Sequence, residues 1–166
     1  ILYTTNFIYA LRDIKVIAWT TLVFAIVLYI ADKNRFDKKI STNLNIQTIF
    51  FIGFFQILSL VPGVSRSGIA ITAARLLNYK RIDAAKISFL VSIPILGAVS
   101  IFGLKNMILS DDIYFTKLNF ISIFISFVFS YITIKYFLRY INKFSLDIFV
   151  YYRILLGLVL LMLMYL

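Results

Sequence analysis

A chain of 166 residues that is 62% hydrophobic and only 14% charged has more apolar surface than a water-soluble domain of that length can hide, so the bilayer must be its solvent. Cysteine and histidine are both absent and all seven acidic residues are aspartates, which excludes disulfide frameworks, thiolate metal sites and any glutamate or histidine base within these residues. The formal charge of +10 is carried between apolar runs, the pattern of cytoplasmic loops meeting anionic headgroups; nucleic-acid binding is not expected.

In chain order, residues 1–13 read as the tail of a preceding segment and an interfacial connection, with Tyr3, Tyr9 and Trp19 suited to a headgroup boundary. The chain opens on Ile rather than Met and has no signal-peptide pattern, so it reads as the C-terminal part of a longer protein. Four runs approach the length of a spanning helix: about 14–31, 85–107, 118–137 and 148–166. The loop DKNRFDKKISTN follows the first, and its Lys33, Arg35, Lys38 and Lys39 assign it to the cytoplasm.

Residues 46–79 form the odd segment. An apolar arm, IQTIFFIGFFQILSLV, runs into Pro62 and Gly63; a second piece, IAITAARLL, then leads to another basic stretch, NYKRIDAAK. A single crossing would put the two basic loops on opposite sides. A helical hairpin that enters and returns keeps both inside, with its tip at Pro62–Gly68. The loop LSDDIYFTK then reads as external, YFLRYINKF as internal, and the C-terminus as external. The fold expected is all-α: a polytopic membrane protein with a re-entrant helical hairpin.

The hairpin tip carries the chemistry. Broken backbone at membrane depth is tolerated only inside protein or beside a wet cavity. Pro62 lacks an N–H, and Gly63 and Gly68 permit conformations other residues avoid. The helix that begins beyond them presents amides without internal partners and the positive end of its dipole, an anion site. Ser65 and Ser67 add hydroxyls, and Arg66 adds a planar charge suited to phosphate. Snorkelling by Arg66 and capping by the serines is the bland alternative, disfavoured because a hairpin tip leaves Arg66 little reach to the surface. Gln56, six residues before Pro62, is a candidate to bond the tip or a ligand, with a helix-to-helix contact at least as good a reading. Arg75 is expected to face the interface. Ser88 and Ser92, Ala70 and Ala74, and Gly68 and Thr72 stand four apart and read as close-packing positions. Pro94 should kink the second span, Asp83 is a candidate N-cap for it, and Asn78 is placed to end the hairpin helix in a left-handed conformation.

PGVSRSG followed by RIDAAKISFLVSIPILGA resembles the bacterial undecaprenyl-diphosphate phosphatases, the bacitracin-resistance family, over nearly the whole chain and most densely from Gln56 to Ala98. The resemblance implies an inverted-repeat fold in the bacterial plasma membrane, of which this chain would be the second half and the N-terminal repeat would be missing. It implies hydrolysis of undecaprenyl diphosphate to the monophosphate carrier of peptidoglycan synthesis. Arg66 would bind the diphosphate, and Ser65 and Ser67 would contact it or position water; from the residues themselves, Gly63, Gly68 and Gln56 are assigned to the substrate site. A divalent cation (Mg or Ca) is expected with paired glutamates of the other repeat, so none would be held by this chain alone. The implied partners are a polyprenyl diphosphate lipid, membrane lipids, the absent repeat and, as an assembly, a homodimer. One departure stands out: the family commonly reads S-R-S-G-A-T, and here Ile69 and Ala70 follow Gly68, so a threonine hydroxyl is lost. Thr72 is turned roughly 200° away around a helix and is a poor substitute. With no base for a nucleophile, the 166 residues alone are expected to be inactive. A transporter or flippase of a phosphate-bearing lipid, and a structural subunit without a ligand, are the competing classes.

Overall fold

The computed structural model describes residues 13–33, 38–108 and 113–165, without side chains at 106–108 and 113–116. Tyr3, Tyr9 and the reading of residues 1–12 lie outside these, as do parts of the loops after the first and second spans.

Seven α-helices follow one another among the described residues: α1 (Ile14–Asp32), α2 (Ile40–Asn43), α3 (Ile46–Ile57, continued by a 3-10 turn at Leu58–Leu60), α4 (Arg66–Leu76), α5 (Arg81–Ile108), α6 (Ile113–Lys143) and α7 (Asp147–Tyr165). Four of them, α1, α5, α6 and α7, are long and apolar enough to cross a membrane. The two middle helices run past the apolar runs that announce them. Helix α5 begins at Arg81 rather than near 85, which places Asp83 inside its first turn, against the positive end of the dipole, instead of at its cap. Pro94 lies within this same continuous helix. Helix α6 takes in Lys135, Arg139 and Lys143, long side chains able to reach a membrane surface.

Segment 46–79 is a hairpin. Helix α3 starts at Asn45, whose side chain accepts from the Thr48 amide. The chain breaks after Leu60, and α4 returns beside α3. With 1.5 Å of rise per residue, α4 is only about 16 Å long, well short of a hydrocarbon core of about 30 Å. At its end Asn78 has φ 71°, and the Tyr79 amide reaches back to the Ala74 carbonyl, the left-handed stop expected from the sequence. The base is then closed by backbone: the Lys38 amide donates to the Asn78 carbonyl at 3.2 Å and the Lys80 amide to the Lys38 carbonyl at 3.0 Å. The two basic loops flanking the segment therefore lie side by side, and the chain between them leaves and returns at one end of the bundle.

Two contacts set the frame around that hairpin. Helix α7 packs along α1 so closely that a Cβ at Gly157 would lie 2.6 Å from Leu22 Cγ and 3.3 Å from the Ala18 carbonyl. Helix α4 is sandwiched against α1, α3 and α5, with Ala70, Ala73 and Ala74 wholly buried. Small side chains let the backbones approach, the packing that substitutes for hydrophobic drive in lipid.

Candidate functional site

The tip is built from both ends of the break. Val61 is extended, and the Val64 amide closes a turn onto its carbonyl at 3.2 Å. Gly63 has φ +88°, and its missing side chain is filled by α1: a Cβ there would collide with Thr20 Oγ1 and come within 2.6 Å of the Ile17 carbonyl. Only glycine meets both demands. Two threonines of α1 then hold the exposed carbonyls of the break. Thr20 donates to the Pro62 oxygen at 2.7 Å and Thr21 to the Gly63 oxygen at 3.4 Å.

Ser65 caps α4. Its Oγ accepts from the Gly68 amide at 3.1 Å and lies 3.3 Å from Ser67 Oγ. The cap consumes one first-turn amide, so the donors free of intrahelical partners by position are those of Arg66 and Ser67. From α5, the buried Ser88 donates to the Ser67 carbonyl at 3.2 Å, while Ser92 turns back to the Ser88 carbonyl. Thr72 donates to the Gly68 carbonyl at 2.7 Å. Its hydroxyl is spent inside its own helix, so the threonine hydroxyl lost at position 70 is not replaced from there.

Beside the tip is a cavity of about 540 Å³. Gly63, Ser65, Ser67 and Gly68 line one side; Phe137, Phe149, Tyr152 and Leu156 make apolar walls; Arg153 of α7 enters between them. Arg153 donates to the Gly63 carbonyl at 2.9 Å, and its other terminal nitrogen stands 3.0 Å from where a Gly68 Cβ would be. The glycine admits the guanidinium to the mouth of the helix. A positive group, two hydroxyls and free amides thus meet on one edge of a mostly apolar hollow, the makings of a site for an anion attached to a greasy chain.

The sequence-derived residues fall into three groups. Ser65, Ser67, Gly63 and Gly68 all line the cavity. Arg66 is at the tip but points outward, an exposed side chain at the first helical position that does not line the hollow. Gln56 stands apart, buried on α3, with neither amide atom hydrogen-bonded among the described residues. Arg153, Thr20 and Thr21 were not singled out by sequence. Arg153 carried a signal: it is a lone cation six residues into an apolar span, where charge is expensive.

Arg75 corrects an expectation outright. Instead of facing the interface it is 2% exposed and lies 2.8 Å from Asp32, itself 2% exposed. The hairpin folds back against the end of α1, and the carboxylate there removes the reason to reach for water.

Residues 1–159 match the family described as bacitracin resistance protein BacA. The chain belongs to that family. Among individual relatives, it is 56% identical over 154 residues to an undecaprenyl-diphosphatase of Pelagibacter ubique (strain HTCC1062), covering 93% of this chain and 60% of that protein. It is 42% identical over 149 residues to one of Elusimicrobium minutum (strain Pei191), covering 89% and 55%, and 41% identical over 148 residues to one of Saccharophagus degradans, also covering 89% and 55%. The chain thus spans a little over half the length of the curated relatives it matches. Among the described residues of this family member, no three His, Cys, Asp or Glu side chains come together to hold a metal ion. The described residues do not fit a divalent cation.

Proposed function

We propose that this chain is the phosphate-gripping part of an undecaprenyl-diphosphate phosphatase, a multi-pass enzyme of the bacterial plasma membrane, completed by a second repeat that supplies the nucleophile's base and any divalent cation. The observation that carries the reading is the meeting of Arg153, Ser65, Ser67 and the α4 amides on one edge of an apolar cavity. The relatives' name, undecaprenyl-diphosphatase, agrees with that chemistry.

In the reaction, water adds to the terminal phosphorus and the bond to the bridging oxygen breaks, leaving the lipid monophosphate and inorganic phosphate. The demand on the protein is alignment and neutralisation of spreading negative charge. The arginines at the tip answer the second demand: Arg153 from within the cavity, and Arg66, exposed at the start of α4, by swinging in over a bound diphosphate. Ser67 donates a hydroxyl hydrogen bond to a phosphate oxygen. Ser65 does the same while its oxygen continues to cap the helix. The apolar walls receive the first part of the hydrocarbon chain. The hollow and the anion edge belong together only if the ligand is both greasy and charged.

The test is phosphate release from undecaprenyl diphosphate by the full-length protein and by its Arg66→Lys variant. Lysine keeps the charge and loses the forked donor. A fall of about 100-fold is expected; near-normal turnover would count against a bidentate role. Lipid movement without phosphate release would favour the transporter reading. The 166-residue chain alone should stay at background.

A further inference from the structure

Asp32 ends α1 far from the tip, and the mechanism above does not use it. Its surroundings are unusual. Its Oδ1 lies 2.8 Å from Arg75 Nε and 2.9 Å from Arg81 Nε; its Oδ2 accepts from Arg81 Nε at 3.0 Å and from the Leu146 amide at 3.3 Å. Its backbone carbonyl accepts from Arg75 at 3.2 Å and Arg81 at 3.4 Å. Arg75 also donates to the Tyr79 carbonyl at 2.8 Å. One buried aspartate therefore binds the end of α1, the returning arm of the hairpin, the start of α5 and the turn before α7.

Two of those segments lead to the site. Arg75 is on α4, nine residues past Arg66, so the hub grips that helix about 14 Å below the tip. Leu146 precedes Arg153 by seven residues, about 10 Å along α7. At the far end the same two segments meet again, where Arg153 donates to the Gly63 carbonyl and Thr20 of α1 holds the Pro62 carbonyl. The three helices form a frame fastened at both ends. Loosening the lower fastening tilts α4 against α7 and changes the distance between the Ser65–Ser67 hydroxyls and the Arg153 guanidinium.

We propose that Asp32 is a positioning residue for phosphate transfer: its carboxylate, by holding Arg75, Arg81 and the Leu146 amide together, sets the register between the α4 tip and Arg153. The inference rests on the phosphatase reading. Long arginine side chains can follow a small shift and keep hold of a ground-state phosphate. In-line transfer cannot tolerate the same shift, since a misplacement of about 1 Å costs on the order of 100-fold.

The experiment measures kcat, KM and thermal unfolding for the full-length protein and its Asp32→Asn and Asp32→Glu variants. Asp32→Asn should lower kcat about 10- to 100-fold with KM within about twofold, and Asp32→Glu should recover most of the loss. An Asp32→Asn protein that is folded and turns over like the parent overturns the proposal, as does a partly folded one whose folded fraction turns over at the parental rate. Should Asp32→Asn fail to fold, the charge-free set Asp32→Leu, Arg75→Met and Arg81→Met removes both cations together with the carboxylate: a folded but slow enzyme supports the proposal, and a folded enzyme at parental speed sinks it. If the parent itself releases no phosphate, the phosphatase reading falls, and amide hydrogen exchange at Gly68 and Ile69, whose amides are bonded to Ser65, decides the positioning alone. Faster exchange there in Asp32→Asn supports it, and unchanged exchange overturns it.

Discussion

The frame of α1, α4 and α7 and the outer pair formed by α6 and the second half of α5 both carry polar residues in apolar helices, but they use them differently. In the frame several bonds cross between elements, Thr20 to Pro62, Arg153 to Gly63, Ser88 to Ser67 and Arg75 to Asp32, while Thr72 bonds within α4 and Thr20 also meets the Val16 carbonyl of its own helix. In the outer pair a groove of about 910 Å³ is lined by Ser100, Asn119, Ser122, Ser126 and Ser130, yet Ser122 donates back to the Leu118 carbonyl of its own helix. None of residues 117–140 of α6 is buried within the chain, whereas Asp32, Arg75, Thr21 and Thr72 in the frame are at most 5% exposed. A hydroxyl in a membrane helix thus says little by itself. What distinguishes a site is a polar bond made to a different element, because that bond fixes a distance.

The sharpest way to break this contrast is at Gly63. Gly63→Ala adds a side chain where φ is positive and where Thr20 and Ile17 already occupy the space. It should cost about 3 kcal/mol in detergent unfolding and abolish phosphate release; a stable, active Ala variant would show that the tip is not wedged against α1. Next comes Arg153→Lys, expected to lower turnover by about 100-fold while leaving unfolding almost unchanged. A normal rate would remove Arg153 from the site. Gly157→Leu drives a side chain into Leu22 and should destabilise the α1–α7 pair by about 2 kcal/mol, read by the same unfolding assay. At the small end, Ser126→Ala in the groove should change stability by less than about 0.5 kcal/mol and leave activity intact. A large loss there would erase the distinction between the two regions.

Much of this was legible in the residues. Pro62, Gly63 and Gly68 in an apolar run announce a broken helix, and the basic loops on both sides announce that it turns back. The Lys38–Tyr79 pairing bears that out. Ser65 and Ser67 follow from the same stretch. Arg153 and Asp32 did not, for a physical reason. A cation in a span and an aspartate at its end look like ordinary anchoring groups until one knows what faces them, and their partners are 90 and 43 residues away in sequence. Arg75 was misread on the same account. Local pattern tells that a charge near a helix end can reach water; only the fold tells that a carboxylate is nearer. Arg66 shows the reverse limit, since its type was informative and its direction was not.

The reach of Arg153 across 90 residues has a bearing on how the protein is made. Synthesis runs from the N-terminus, so the hairpin emerges while the helix that clasps its tip is still unborn. Until α7 enters the bilayer, the Gly63 carbonyl lacks its guanidinium and the Ser65–Gly68 turn lacks the wall that Phe149, Tyr152 and Leu156 make. The cavity beside the hairpin tip is therefore complete only once α7 has joined it.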